Sequence, residues 1–144
     1  MTEPTGEEFA EALAAEHAAI FAYGVIGGHL DGGQADAARD AEAAHRSRRD
    51  ALLLRLAERG EPAPVAAASY ELPFPVTGAD SARRLATLVE ERVGAVWRAA
   101  LPATTGEERA EALAALVDAA IRATGWRRAA GVEPATVAFP GEPE

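Results

Sequence analysis

A carboxylate sits in the middle of an apolar seam. Phe9, Leu13, Glu16, Ile20, Tyr23, Gly27 and Leu30 recur at alternating spacings of four and three, the repeat of one face of a packed helix. A charge taken out of water is costly alone, so a chain that folds around this seam has to bring Glu16 a partner from another element. A second helical pattern carries Glu42-Ala-Ala-His45, whose two polar side chains lie one turn apart and can reach a common ion. Together the two patterns imply a helical bundle with a polar core.

Composition narrows the class. The 144 residues suffice for one domain with a single core. Their 49% hydrophobic content is supplied mainly by Ala, with only 6% aromatics, which suits close helix packing and an all-α fold. Cysteine is absent, so disulfides, thiolate metal sites and cysteine nucleophiles are excluded. With a net charge of −9, the chain repels an extended phosphate backbone, and no nucleic-acid partner is expected. The start Met1-Thr-Glu-Pro-Thr-Gly-Glu-Glu8 reads as neither a secretory signal nor a transit peptide. Apolar runs such as Ala18 to Ile26 fall short of the ~20 residues that cross a bilayer, so the expectation is a cytoplasmic protein with no membrane span.

Four helices are predicted. Thr5-Gly-Glu-Glu8 reads as a capping box opening a helix that runs from about Gly6 to Leu30. A second runs from about Gln34 to Arg59 and stops at Gly60. Between Glu61 and Gly78, Pro62, Pro64, Pro73 and Pro75 exclude a regular helix. Tyr70, Leu72, Phe74 and Val76 make that stretch too apolar for a free linker, which predicts a long proline-rich crossover packed on the bundle. A third helix starts around Thr77 to Ser81, with a stripe of Leu85, Val89, Arg92 or Val93, Val96 and Ala100, and ends at Pro102. Thr105-Gly-Glu-Glu108 reads as a second capping box. It opens a fourth helix, with Leu113, Leu116, Val117, Ala120, Ile121 and Thr124 as its apolar positions and Gly131 as its stop. The bundle is thus expected over residues 5–130, and residues 131–144 as a tail, either docked or frayed.

Three segments carry a resemblance: Glu16-His-Ala-Ala-Ile-Phe-Ala-Tyr-Gly24, His45-Arg-Ser-Arg-Arg-Asp50 and Ala68-Ser-Tyr-Glu-Leu-Pro-Phe-Pro-Val76. Taken in order, they closely resemble a bacterial ferritin-like family catalogued as a domain of unknown function. The likeness extends from Glu8 to about Arg128 and implies a ferritin-like four-helix bundle, but no assigned activity. In ferritin-like carboxylate bundles each half supplies one Glu and one Glu-x-x-His. The first-half ligands map onto Glu16, Glu42 and His45. In the second half Glu90 or Glu91 is available as a carboxylate, whereas Asp118 is followed three residues later by Ile121, and no histidine follows His45. An intact di-iron site is therefore not expected. Any iron or manganese would have to use Glu16, Glu42, His45, Glu90 and Glu91.

The same residues admit a metal-free reading, a closed ionic network of Glu16, Glu42, His45, Arg49 and Arg92 in which guanidinium and imidazolium replace metal. Tyr23 on the seam and Tyr70 in the crossover are candidates to line a ligand pocket. Trp97 and Trp126 read as packing or interface residues, and His17 and His29 as surface or edge positions. No catalytic set is complete. The function expected is ligand or protein binding by a homodimeric bundle without enzymatic turnover or cofactor. The alternative is a metal-dependent oxidase, or an oxygen- or iron-sensing protein, with a partial carboxylate–histidine site.

Overall fold

The computed structural model describes residues 7–143, and these form four α-helices, one short 3-10 turn and no strand. Helix α1 is Glu7–Gly27, α2 Gly32–Glu58, α3 Ala79–Ala100 and α4 Gly106–Ala129. The first helix stops before Leu30, where Gly27 and Gly28 stand together and weaken the helix. Of the two expected capping boxes, Thr5 lies outside the described residues. Thr105 precedes α4 in extended backbone, but its hydroxyl makes no capping bond. Helix α3 is capped instead by Ser81, whose Oγ accepts from the amides of Thr77 at 2.9 Å and Gly78 at 3.2 Å.

Helix α1 packs on both α2 and α3, and α3 packs on α4. The fourth side is bridged by ion pairs from α2 to α4: Arg48 to Asp118 at 2.8 Å and Arg55 to Glu111 at 2.5 Å. Residue numbers fall along α4 as they rise along α2, so these two helices are antiparallel. Two neighbours widen the buried face of α1 beyond its heptad line. Ala12, Ala19, Ala22 and Ile26 are buried beside Phe9, Leu13, Glu16 and Tyr23, while Ile20 is only half-buried. By length and apolarity α1 would also suit a membrane span, yet half of that apolar window is buried inside the bundle.

The buried face of α4 is rotated from the one its bulky residues predict, with Leu116, Ala120 and Thr124 of the expected stripe half-buried at its border. Ala112, Ala115, Ala119, Ala123 and Trp126 point inward, whereas Leu113, Val117 and Ile121 are exposed. Periodicity picks out the bulkiest stripe, but the α3–α4 contact selects small residues. On α3 the matching small residue is Gly94, where a Cβ would lie 3.6 Å from Leu116 and 3.9 Å from Ala119 of α4, and small residues there let the helix axes approach closely.

Residues 59–78 contain no helix. Tyr70, Leu72, Phe74 and Val76 are half-buried, alternating with exposed Glu71, Pro73, Pro75 and Thr77. This is the period of an extended chain with one face on the protein. Arg59 starts the segment with its guanidinium 5.3 Å from the Phe9 ring. His17, buried rather than at the surface, donates from Nε2 to the Pro64 carbonyl at 3.1 Å. Beyond α4, Arg127 and Arg98 donate to the carbonyls of Ala135 at 3.1 Å and Pro140 at 3.0 Å.

Gly141 then rests on α3 with φ +77°, and a Cβ there would lie 2.7 Å from the Gly94 carbonyl oxygen. Gly141→Ala therefore combines left-handed backbone strain with a backbone clash, and is expected to cost about 1–3 kcal/mol in urea unfolding. Unchanged stability, together with unchanged amide exchange beyond Arg127, would show that this contact is not made.

Candidate functional site

All four helices contribute to one buried polar cluster. Glu16 and Tyr23 come from α1, His45 from α2, Glu90 and Trp97 from α3, and Arg122 and Trp126 from α4. Glu16, His45 and Glu90 are each 1% exposed, so their hydrogen-bonding capacity has to be met by protein. His45 stands between the two carboxylates, donating from Nδ1 to Glu16 Oε2 at 2.5 Å and from Nε2 to Glu90 Oε2 at 2.9 Å. The second oxygen of Glu16 accepts from Trp97 Nε1 at 2.9 Å, and that of Glu90 from Arg122 Nε at 3.1 Å. Tyr23 donates its hydroxyl to Glu90 and accepts from Trp126 Nε1 at 3.0 Å. Its ring lies against that of His45, with centroids 5.5 Å apart.

Electrostatics follow from this connectivity. Burial alone would push the His45 pKa down, but its hydrogen bonds to Glu16 and Glu90 and the charge of both carboxylates lift it to about 9. The ring is thus an imidazolium at neutral pH, which is the form able to donate from both nitrogens. Burial would raise Glu90, yet His45, Arg122 and Tyr23 hold it below its ordinary value. Burial and the adjacent Glu90 push Tyr23 well above 10, so it remains a phenol donor. Two carboxylates are therefore matched by two cations.

The expected network is corrected at three positions. Glu42 is at the bundle rim, paired with Arg46 at 3.0 Å, and Arg49 pairs with Asp50 at 2.9 Å. With His45 pointing inward, the residues three before and four after it both lie about 40–60° to the same side of the inward direction, toward the rim. Arg92 is exposed, because two helical positions beyond inward-facing Glu90 is nearly the opposite face. Glu91 pairs with Arg127 at 2.8 Å, outside the cluster. Tyr70 stacks at a tilt on Phe21, 5.5 Å between centroids, and accepts from the Ala67 amide at 3.0 Å. Missing from the sequence reading are the network roles of Glu90, Trp97, Arg122 and Trp126. For Arg122 and Trp126 a signal exists in the heptad Ala112, Ala115, Ala119, Arg122, Trp126, obscured by the bulkier outward stripe.

Among the described residues no group of three or more His, Asp or Glu could hold a metal ion. The donor chemistry explains this. A metal-bound imidazole needs a free nitrogen lone pair, whereas both His45 nitrogens face carboxylates, and all four oxygens of Glu16 and Glu90 accept protein hydrogen bonds.

The cluster makes stability depend on pH. His45 has a folded pKa of about 9, above its ordinary 6.5. Its contribution is therefore complete below pH 6.5 and lost as pH rises through about 9, a loss on the order of 3 kcal/mol. Glu90 works in the opposite sense, contributing above its ordinary 4.5 and losing that contribution in acid. The urea midpoint is expected to fall between pH 6.5 and 9. In His45→Gln this alkaline limb should be flat, with stability at pH 6 about 3–5 kcal/mol lower. An unaltered alkaline limb in His45→Gln would contradict a charged His45.

Comparison with known proteins places the chain. A crystal structure of a conserved hypothetical protein from Mycobacterium tuberculosis, rv2844, is 41% identical and superposes with a TM-score of 0.84, covering 93% of this chain and 95% of that one. No curated protein matches. The family model described as a domain of unknown function, DUF4439, matches residues 9–144, and the chain belongs to that family.

Proposed function

We propose that the protein is a ferritin-like bundle in which an internal ion-pair network stands in place of metal, and that it acts by binding a small amphipathic ligand rather than by catalysis. Support for the ferritin-like arrangement comes from the helix pairings. Glu16 with Trp97 and Tyr23 with Glu90 make α1–α3 antiparallel, Arg48 with Asp118 and Arg55 with Glu111 do the same for α2–α4, and the short turn over 28–31 folds α2 back on α1. Helices α2 and α3 then run in the same direction, and residues 59–78 would have to travel the length of the bundle as a crossover. Arg83 near the start of α3 donates to Gln34 near the start of α2, at 2.9 Å, as that topology requires.

The observation that carries the binding reading is a cleft of about 580 Å³ between α1, α3 and the 70–73 stretch. One wall is cut back to Ala15, Ala18 and Ala22, and the other is Leu85, Val89 and Val93. Apolar walls of this kind take up a hydrocarbon body. Charges of both signs, Arg92, Glu11 and Glu71, stand among the lining residues, and none of the three makes a hydrogen bond or ion pair within the described residues. They suit a zwitterionic head group.

Two measurements test this reading. Protein purified without chelator is expected to carry iron and manganese well below one equivalent by elemental analysis. Near-stoichiometric metal that vanishes in Glu16→Ala/His45→Ala would overturn the metal-free assignment and favour the oxidase or sensor alternative. Dodecylphosphocholine, kept below its micelle concentration, is expected to bind in calorimetric titration with Kd on the order of 10 µM, from about 0.3 kcal/mol per heavy atom. Ala18→Phe, which fills the cleft, should weaken it about tenfold or more. Equal binding by that variant, or none by the parent, would overturn the ligand reading.

A further inference from the structure

The outward stripe of α4 is large and apolar where a solvated helix face would be polar. Leu113, Val117 and Ile121 stand exposed, Ile121 to 65%, beside Val137 and Phe139 of the tail, the latter to 66%. A groove of about 720 Å³ runs between α4 and the tail, with Arg98 and Arg128 among its lining residues. These five side chains expose on the order of 500 Å² of apolar surface. At the ~65% apolar share of homodimer interfaces this corresponds to roughly 800 Å² per subunit, the size of a standard stable interface.

From these features we infer that the stripe is the interface of a homodimer in which two copies of α4 pack antiparallel about a two-fold axis at Val117. The stripe is a palindrome about that residue. Leu113 and Ile121 lie four positions to either side of it, and Ala114 and Ala120 three. At about 100° per residue, Ile121 and Ala114 share one edge of the stripe, Leu113 and Ala120 the other. A two-fold axis reverses chain direction and keeps the edge. Ile121 therefore meets the partner's Ala114, and Ala120 meets the partner's Leu113, so each large side chain enters the space left by a small one. The same operation sets the partner's Leu113 in the groove beneath Phe139.

Charge obeys the same symmetry. Glu107 and Arg128 are exposed, make no hydrogen bond or ion pair within the described residues, and lie ten positions before and eleven after Val117. Both fall on the Ile121 edge, about 16 Å from the axis, so each acid faces the partner's base across the interface. An unrelated partner would impose no such palindrome.

Sedimentation equilibrium of the full chain is expected to show a dimer at micromolar concentration. Val117→Glu and Ile121→Glu should make it monomeric with unchanged helical circular dichroism, since both sites are exposed. Glu107→Arg and Arg128→Glu should each weaken association about tenfold, because each turns two symmetry-related pairs repulsive, and their combination should restore it. The chain has no cysteine, so Val117→Cys should oxidise to a covalent dimer without interference. A parent that is monomeric at 100 µM, a dimer indifferent to Ile121→Glu, a Val117→Cys chain that does not cross-link, or a double charge swap no stronger than the singles would overturn the proposal.

Discussion

The fold depends on one cation held between two anions. His45 is buried with a carboxylate on each ring nitrogen, and it can satisfy both only while doubly protonated. Remove its proton and one carboxylate of the pair faces a lone pair in a low-dielectric interior. Remove a carboxylate and the imidazolium is stranded. The rest of the cluster completes this arrangement. Trp97 covers the free oxygen of Glu16, Arg122 that of Glu90, and Trp126 holds the Tyr23 hydroxyl that Glu90 also receives. The two indoles supply neutral donors that add no charge, and Arg122 balances the sum. Such a network specifies one register for the four helices, because a slip of one residue in any of them leaves a charge without a partner.

Much of this architecture was legible because helices advertise themselves by period. Glu16 and Tyr23 stood on the seam of α1, His45 on a second helix, and the alternation of Tyr70, Leu72, Phe74 and Val76 marked an extended packed stretch. The site was less legible, since one sequence fixes the angular position of a residue on its own helix but not the rotation of that helix toward its neighbours. Choosing Arg49 and Arg92 as the cations was such a rotational error, with Arg122 filling the role from α4. The rotation of that helix was itself misplaced, with only Leu116, Ala120 and Thr124 of its expected stripe half-buried. Its inward face is alanine, which contributes little to a hydrophobic pattern yet permits the closest helix contact, and its outward face carries the bulk.

The arrangement of α4 also separates the parts of the molecule. Small residues inward and large residues outward place the tightest packing around the ion-pair core and the greatest apolar exposure on the far side of the same helix. The cleft beside α1 lies among other residues again. The core can therefore serve stability without being open to solutes, and the surface features can vary without disturbing it.

Sequence separation gives the polar cluster a last consequence. Glu16 and His45 are 29 residues apart, His45 and Glu90 45, and Tyr23 and Trp126 103. The first helical hairpin alone would hold Glu16 against His45 but leave the Nε2 proton of His45 and the Tyr23 hydroxyl unmatched. The second alone would bring Arg122 to Glu90 with neither histidine nor tyrosine. Each half thus carries a polar debt that only the other can settle, which disfavours half-formed bundles and makes assembly of the four helices an all-or-none event.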